Sequence, residues 1–158
     1  MITFNEIGSI RTPFKTKEGM PIQTKGAKGV QGTIVLNEKY LDGLKDLDGF
    51  SHITLIYHFN QSKGFDLQTI PFLDNQKRGV FATHAPKRPN NIGISVVKLL
   101  KIDGNILSIE NVDMLDKTPL LDIKPYIPDF DSFQVTKIGW TAQKTNNLNR
   151  IQSDTRFK

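Results

Sequence analysis

From His52 to Phe59 the chain alternates: Ile53, Leu55, Tyr57 and Phe59 fall on one face, His52, Thr54, Ile56 and His58 on the other. Successive strand side chains point to opposite faces, so this is the pattern of a strand laid against a core. Two further apolar runs, 94–102 and 106–112, are joined through Asp103-Gly104-Asn105, a pairing that predicts a hairpin because its residues tolerate the positive φ of a tight turn. Shorter strands are predicted over 3–10, 33–36, 79–83 and 134–140. One helix fits 38–44, with Asn37 as its cap and Gly43 near its end. Many short strands with 12 glycines and 8 prolines predict a mainly β domain, a barrel or a sandwich with few short helices. The β-α-β rhythm of a doubly wound sheet is absent, and Gly26, Gly29 and Gly32 lack the order of a dinucleotide fingerprint. The expected fold is non-Rossmann.

Composition narrows the chemistry. With 158 residues, 37% hydrophobic and 23% charged, the chain is one globular domain's worth. Residues 1–140 are expected to form that domain. Residues 141–158 are polar and basic and read as a C-terminal tail. No apolar run reaches the roughly 18 residues of a membrane helix, and the N-terminus lacks a signal peptide's apolar segment, so a cytoplasmic location is expected. Zero cysteines remove disulfides, thiol catalysis and cysteine-ligated metals. Of three histidines, His52 and His58 stand too far apart on one strand to share an ion, so no metal is expected.

The net charge is +5, and between Asp74 and Asp103 six cations (Lys77, Arg78, Lys87, Arg88, Lys98 and Lys101) occur with no acid among them. The basicity is therefore local, a bias compatible with a polyanionic partner, while Lys98 and Lys101 read as strand lysines pointing outward on a solvated face.

Four segments look built for binding. Gly79–Ser95, GVFATHAPKRPNNIGIS, holds two prolines that stiffen a turn displaying Arg88, Asn90 and Asn91, groups suited to an anion or a planar polar edge. The same asparagines could instead bond their own backbone. Met114–Asp131 sets Asp116, Thr118, Asp122 and Tyr126 among three prolines; carboxylates, carbonyls and aromatic faces suit a cationic ligand such as a sulfonium, while proline-rotated turns are the plainer account. Gly19–Gly32 is a glycine-rich loop whose amides could cradle an anion, though its composition reads first as a surface loop. Asn60 and Gln61 stand at the exit of the alternating strand.

Taken together these segments resemble the TsaA-like family, also called the TrmO family. The likeness runs through IGSIRTPF (7–14), GMPIQ (19–23), DLDGFSHITLIYHF (46–59), GVFATHAPKRPNNIGIS (79–95) and LDKTPLLDIKPYIPDFD (115–131). It implies a β-barrel methyltransferase that uses S-adenosyl-L-methionine on N6 of threonylcarbamoyladenosine beside the tRNA anticodon, working as a homodimer with the cofactor near the subunit interface. Carried over by position, the cofactor segments fall on Pro21, Ile22 and Gln23, on Asn60 and Gln61, on His84, on Ile94, and on Leu115, Asp116, Lys117 and Thr118. Arg88, Pro89 and Asn90 match the family's Arg-Pro-Asn core, and Arg88 and Asn90 are the expected substrate contacts. Four positions depart from the pattern: Ile22 for Arg, Asn60 for His, His84 for Arg and Lys117 for Gly. The third exchanges a permanent cation for a switchable one.

Methyl transfer from a sulfonium is an in-line displacement, helped by alignment and by a group that accepts the acceptor's proton. His84, Asp116 and Tyr126 are the candidates for that group. Two alternatives share the fold: a methyltransferase of another, possibly small-molecule, substrate, and a non-catalytic module that binds the cofactor.

Overall fold

The structure, a computed structural model, describes residues 1–22, 24–72 and 74–142. Eight strands follow in chain order: β1 (Gly8–Arg11), β2 (Gln31–Leu36), β3 (His52–His58), β4 (Gln68–Thr69), β5 (Arg78–Gly79), β6 (Ile92–Asp103), β7 (Ile106–Glu110) and β8 (Thr118–Pro125). Six of them close a barrel in the order β1-β2-β7-β6-β3-β8, and β8 pairs back to β1. Every pairing is antiparallel. β4 and β5 form a separate two-stranded sheet inside the long β3–β6 excursion.

Period-two patterning places the core. Ile53, Leu55 and Tyr57 of β3 point inward, as do Val97 and Leu99 of β6, Ile34 and Leu36 of β2 and Leu107 and Ile109 of β7. Burial of each such aliphatic side chain stabilises the fold by about 1.5–3 kcal/mol, whereas an exposed ion pair such as Lys101–Asp103, at 3.8 Å, contributes about 0–1 kcal/mol. The barrel is held by its alternation. The hairpin closes as the sequence predicts, Asp103 opposite Ile106, with Gly104 at φ +59°. Asn105 then ties the turn to β2 through Leu36, its Nδ2 donating to the carbonyl at 3.0 Å.

Four expectations change. Residues 3–6 form no strand, because β1 starts at Gly8, where both of its neighbours begin to pair. The 38–44 helix is a 3-10 helix; Asn37 caps it by accepting from the Lys39 amide at 3.2 Å. The 79–83 strand stops at Gly79 and tightens into a 3-10 turn over Val80–Ala82. Residues 134–140 form no strand. Trp140 instead donates its indole N–H to the Ala82 carbonyl at 2.8 Å and carries the Arg78 guanidinium over its ring at 5.6 Å. Residues 143–158, most of the expected tail, lie outside the described residues.

β8 was unmarked in the sequence, since its prolines suggest a loop. Pro119 stands opposite Ser9 and Pro125 opposite Ile53, at or beside the strand's two ends, where a missing N–H is tolerated. Among the described residues no helix is long and apolar enough to cross a membrane.

Candidate functional site

The direction of each strand decides where the singled-out segments lie. β1, β3 and β7 end at one rim of the barrel, and β2, β6 and β8 begin there. The β1–β2 loop with Pro21 and Ile22, the exit of β3 with Asn60 and Gln61, the turn before β6 with His84, Arg88 and Asn90, and the 111–117 loop before β8 therefore all open at that rim. Four segments far apart in sequence converge on one end.

The 111–117 loop must cross this end, because β7 and β8 are not neighbours in the barrel. Val112 and Met114 drop into the core and close it. Thr12 pins the crossing, its Oγ1 donating to the Met114 carbonyl at 2.8 Å. Asp116 is fastened to the same segment: its Oδ1 accepts from the Thr12 amide at 3.1 Å and its Oδ2 from Lys15 Nζ at 2.6 Å. The Lys15 contact first, and the Thr12 amide and Arg11 charge with it, hold the Asp116 carboxyl below its usual range. Thr118 Oγ1 donates to the Leu115 carbonyl at 2.6 Å, folding residues 115–118 into a compact turn. Lys117 sits in that turn at φ +65°, a conformation that favours glycine. Beside it a shallow cleft of about 540 Å³ is lined by Arg11, Lys15, Gln31, Thr33, Ser108 and Asp116.

The turn before β6 is held from within. Arg88 Nη1 donates to the carbonyls of Val80, Thr83 and Ala85 at 3.0, 2.7 and 3.3 Å. Asn91 Nδ2 donates to the Pro86 carbonyl at 2.9 Å. Arg88 thus buttresses the turn that carries the exposed His84, while Asn90 stays exposed. Asn60 and Gln61 are exposed, and Ile94 projects from the outer wall at 58% exposure. Gln23 lies outside the described residues. Tyr126 is not brought to this rim. It follows the far end of β8, where its amide donates to the His52 carbonyl, about 25 Å of strand away from Thr118.

The basic stretch is partly neutralised. Arg78 pairs with Asp74 at 2.6 Å, Lys98 with Glu110 and Lys101 with Asp103. At the rim, burial, and next to it the Lys87 ammonium from another loop, hold Lys17 below the usual lysine range, with Glu18 acting the other way.

One group went unnoticed in the sequence. Asp113 accepts from Ser95 Oγ at 2.8 Å, and Ser95 Oγ lies 2.9 Å from Tyr57 Oη. Burial pushes the Asp113 carboxyl up to about 7, the Ser95 hydroxyl offsetting it only in part. Its signal in the sequence was small, a lone acid between Val112 and Met114, two core residues. Among the described residues no cluster of three or more His, Asp or Glu could hold a metal.

The family model described as the tRNA-methyltransferase O N-terminal domain matches residues 9–132. A probable S-adenosyl-L-methionine-binding protein of Pyrococcus abyssi is 49% identical over 157 residues, 99% of this chain and 85% of the relative. The tRNA (adenine(37)-N6)-methyltransferase of Escherichia coli is 38% identical over 139 residues, 82% of this chain; the match covers 59% of that enzyme. The crystal structure of TrmO from Pseudomonas aeruginosa superposes with a TM-score of 0.75 at 34% identity, covering 89% of this chain and 62% of that one. Barrel, rim and sequence match converge: the chain belongs to the tRNA-methyltransferase O N-terminal domain family.

Proposed function

We propose that the protein is an S-adenosyl-L-methionine-dependent methyltransferase that modifies N6 of adenine 37 in tRNA, with threonylcarbamoyladenosine as the acceptor. The observation that carries this is the convergence of the four segments on one barrel end in a chain of this family. The donor set there fits a sulfonium cofactor: carboxamides at Asn60 and Gln61, a turn rich in carbonyls, and an Asp113 carboxylate whose side-chain partner is a neutral hydroxyl. When bound, the cofactor supplies an electrophilic methyl group.

The chain's own residues supply alignment. Asp116, tied to Thr12 and Lys15, fixes the 115–118 turn as one wall. Arg88 fixes the opposing turn, so that His84 and Asn90 are presented from a stiff support. His84 is assigned the acceptor N–H proton; Asp116, with its carboxyl held low by Lys15, is a poor base for that task. Asn90 and the outward edge of Arg88 face the acceptor's base or carboxylate. Lys17 and Lys87, close together at the rim, suit the phosphates of an RNA partner. The chain acts as a homodimer, the outer wall of β3 and β6 with Ile56, Ile92 and Ile94 facing its twin.

A binding-only role is the second reading, favoured by the name of the Pyrococcus abyssi relative. Mass spectrometry of tRNA nucleosides from a deletion strain, with and without the gene restored, separates the two. Loss and recovery of N6-methylated threonylcarbamoyladenosine is expected. An unchanged nucleoside profile, with calorimetric cofactor binding intact, would replace the enzyme by the binding module.

A further inference from the structure

Tyr57, Ser95 and Asp113 form a polar chain at the rim end of the barrel. A serine hydroxyl has one proton, and Ser95 gives it to Asp113; Ser95 is then the acceptor for the Tyr57 O–H. The donors run in one direction and end on a carboxylate. Each member lies within three residues of a candidate cofactor segment: Tyr57 three before Asn60, Ser95 next to Ile94, and Asp113 two before Leu115.

What the carboxylate lacks is a cation. Asp113 takes part in none of the ion pairs of the described residues. Of the charged groups on the elements around it, Asp116 of its own loop pairs with Lys15 and Glu110 of β7 with Lys98 of β6, while Lys117 at the loop's end is exposed to solvent. From β3 comes Tyr57, whose hydroxyl burial keeps protonated, with the Asp113 charge acting in the same sense; His58 beyond it is exposed. Desolvation with no counter-charge is what lifts the carboxyl toward neutrality.

We propose that Asp113 is the counter-charge for the sulfonium of the bound methyl donor, which binds to the ionised carboxylate and thereby expels its proton. This rests on the reading that the chain binds S-adenosyl-L-methionine, and it adds a means of telling donor from product. The demethylated product is a neutral thioether and offers Asp113 no positive charge at that atom, so it binds with the carboxyl still protonated. Donor binding is proton-linked and product binding is much less so.

Calorimetry of the full chain, in two buffers of different ionisation enthalpy, reads this directly. Donor binding near pH 6.5 is expected to release a substantial fraction of one proton, and product binding clearly less. Between pH 6 and 8 donor affinity should rise about tenfold, the change expected for one proton leaving a group that titrates near 7. Asp113→Asn keeps an acceptor for Ser95 and removes the charge, so its donor binding should be weaker at pH 8 and lose the linkage. The donor's own amino group titrates nearby, at about 8, but equally with either protein, so the difference isolates Asp113. Ser95→Ala is the second variant: without the hydroxyl that favours the ionised form, the midpoint of the affinity profile should move to higher pH. Equal proton release with and without the Asp113 carboxylate, or an unmoved midpoint in Ser95→Ala, overturns the proposal. Failure of the native chain to bind the donor at any pH would instead overturn the proposed function.

Discussion

Lys117 stands at φ +65°, where a Cβ crowds the following carbonyl and an L-residue other than glycine is strained by about 1 kcal/mol. The family pattern has glycine there, so Lys117→Gly should relax the turn. Thermal unfolding is expected to rise by about 2–4 °C, and a fall in melting temperature would contradict the strain. Asp113 gives a second expectation, in the ligand-free chain. Its folded-state carboxyl titrates near 7, above the usual 3.8, so the native state holds a proton that the unfolded state releases. Stability is therefore lost as pH rises from about 4 through 7, the opposite of a salt-bridged carboxylate. Asp113→Asn should remove this slope, unfolding at a higher temperature than the native chain at pH 8 and at nearly the same temperature at pH 4. Parallel melting curves across that range would show that the carboxyl is not raised. Here His84 and Asp113 mark how far the sequence could go. A family position names His84, but nothing in a string of letters shows that one aspartate of several has lost its cation.

At the level of elements, what is legible depends on whether local pattern and tertiary pairing agree. β3, β6 and β7 were plain, because alternation and the Asp103-Gly104 turn say the same thing as the barrel. β8 was hidden by its prolines, and the strand expected over 79–83 failed because burial falls on Val80 and Thr83, three residues apart, the period of a 3-10 turn, with Phe81 left outside at 77% exposure. The turn that follows is braced by its own side chains, Thr83, Asn91 and above all Arg88. Arg88 Nη1 reaches three carbonyls, its N–H groups held in the guanidinium plane, and a shorter lysine ammonium on a flexible stem does not reproduce that placement. Arg88→Lys should destabilise the chain by about 1–3 kcal/mol and lower turnover with a smaller change in donor affinity. A variant with native melting temperature but lost substrate binding would leave Arg88 as a substrate contact alone, without the buttressing role. The candidate site was readable as four segments, and their meeting at one rim was not: it follows from strand directions and from a crossing loop that only the closed barrel reveals.

For the whole molecule, the outer wall of β6 bears on how many chains complete a site. A lone barrel with a satisfied surface would alternate polar outside and apolar inside, yet β6 exposes Ile92, Ile94 and Leu100 at 37%, 58% and 42%. Ile92 and Ile94 lie opposite His58 and Ile56 of β3, so they form one patch on the wall beside the rim. A two-fold axis would place the same patch on both partners, and each isoleucine would then be buried by its counterpart. If a cofactor position such as Ile94 sits in that interface, association and donor binding are coupled: donor affinity should fall as the protein is diluted below its dimerisation constant. Ile94→Glu should break both, since two carboxylates would meet across the axis in a desolvated contact. Sedimentation is expected to show a dimer for the native chain and a monomer for the variant, the variant keeping its barrel by circular dichroism. A native chain that sediments as a monomer at concentrations where it binds the donor fully would leave the outer wall without this role, and the site would then be complete within one barrel.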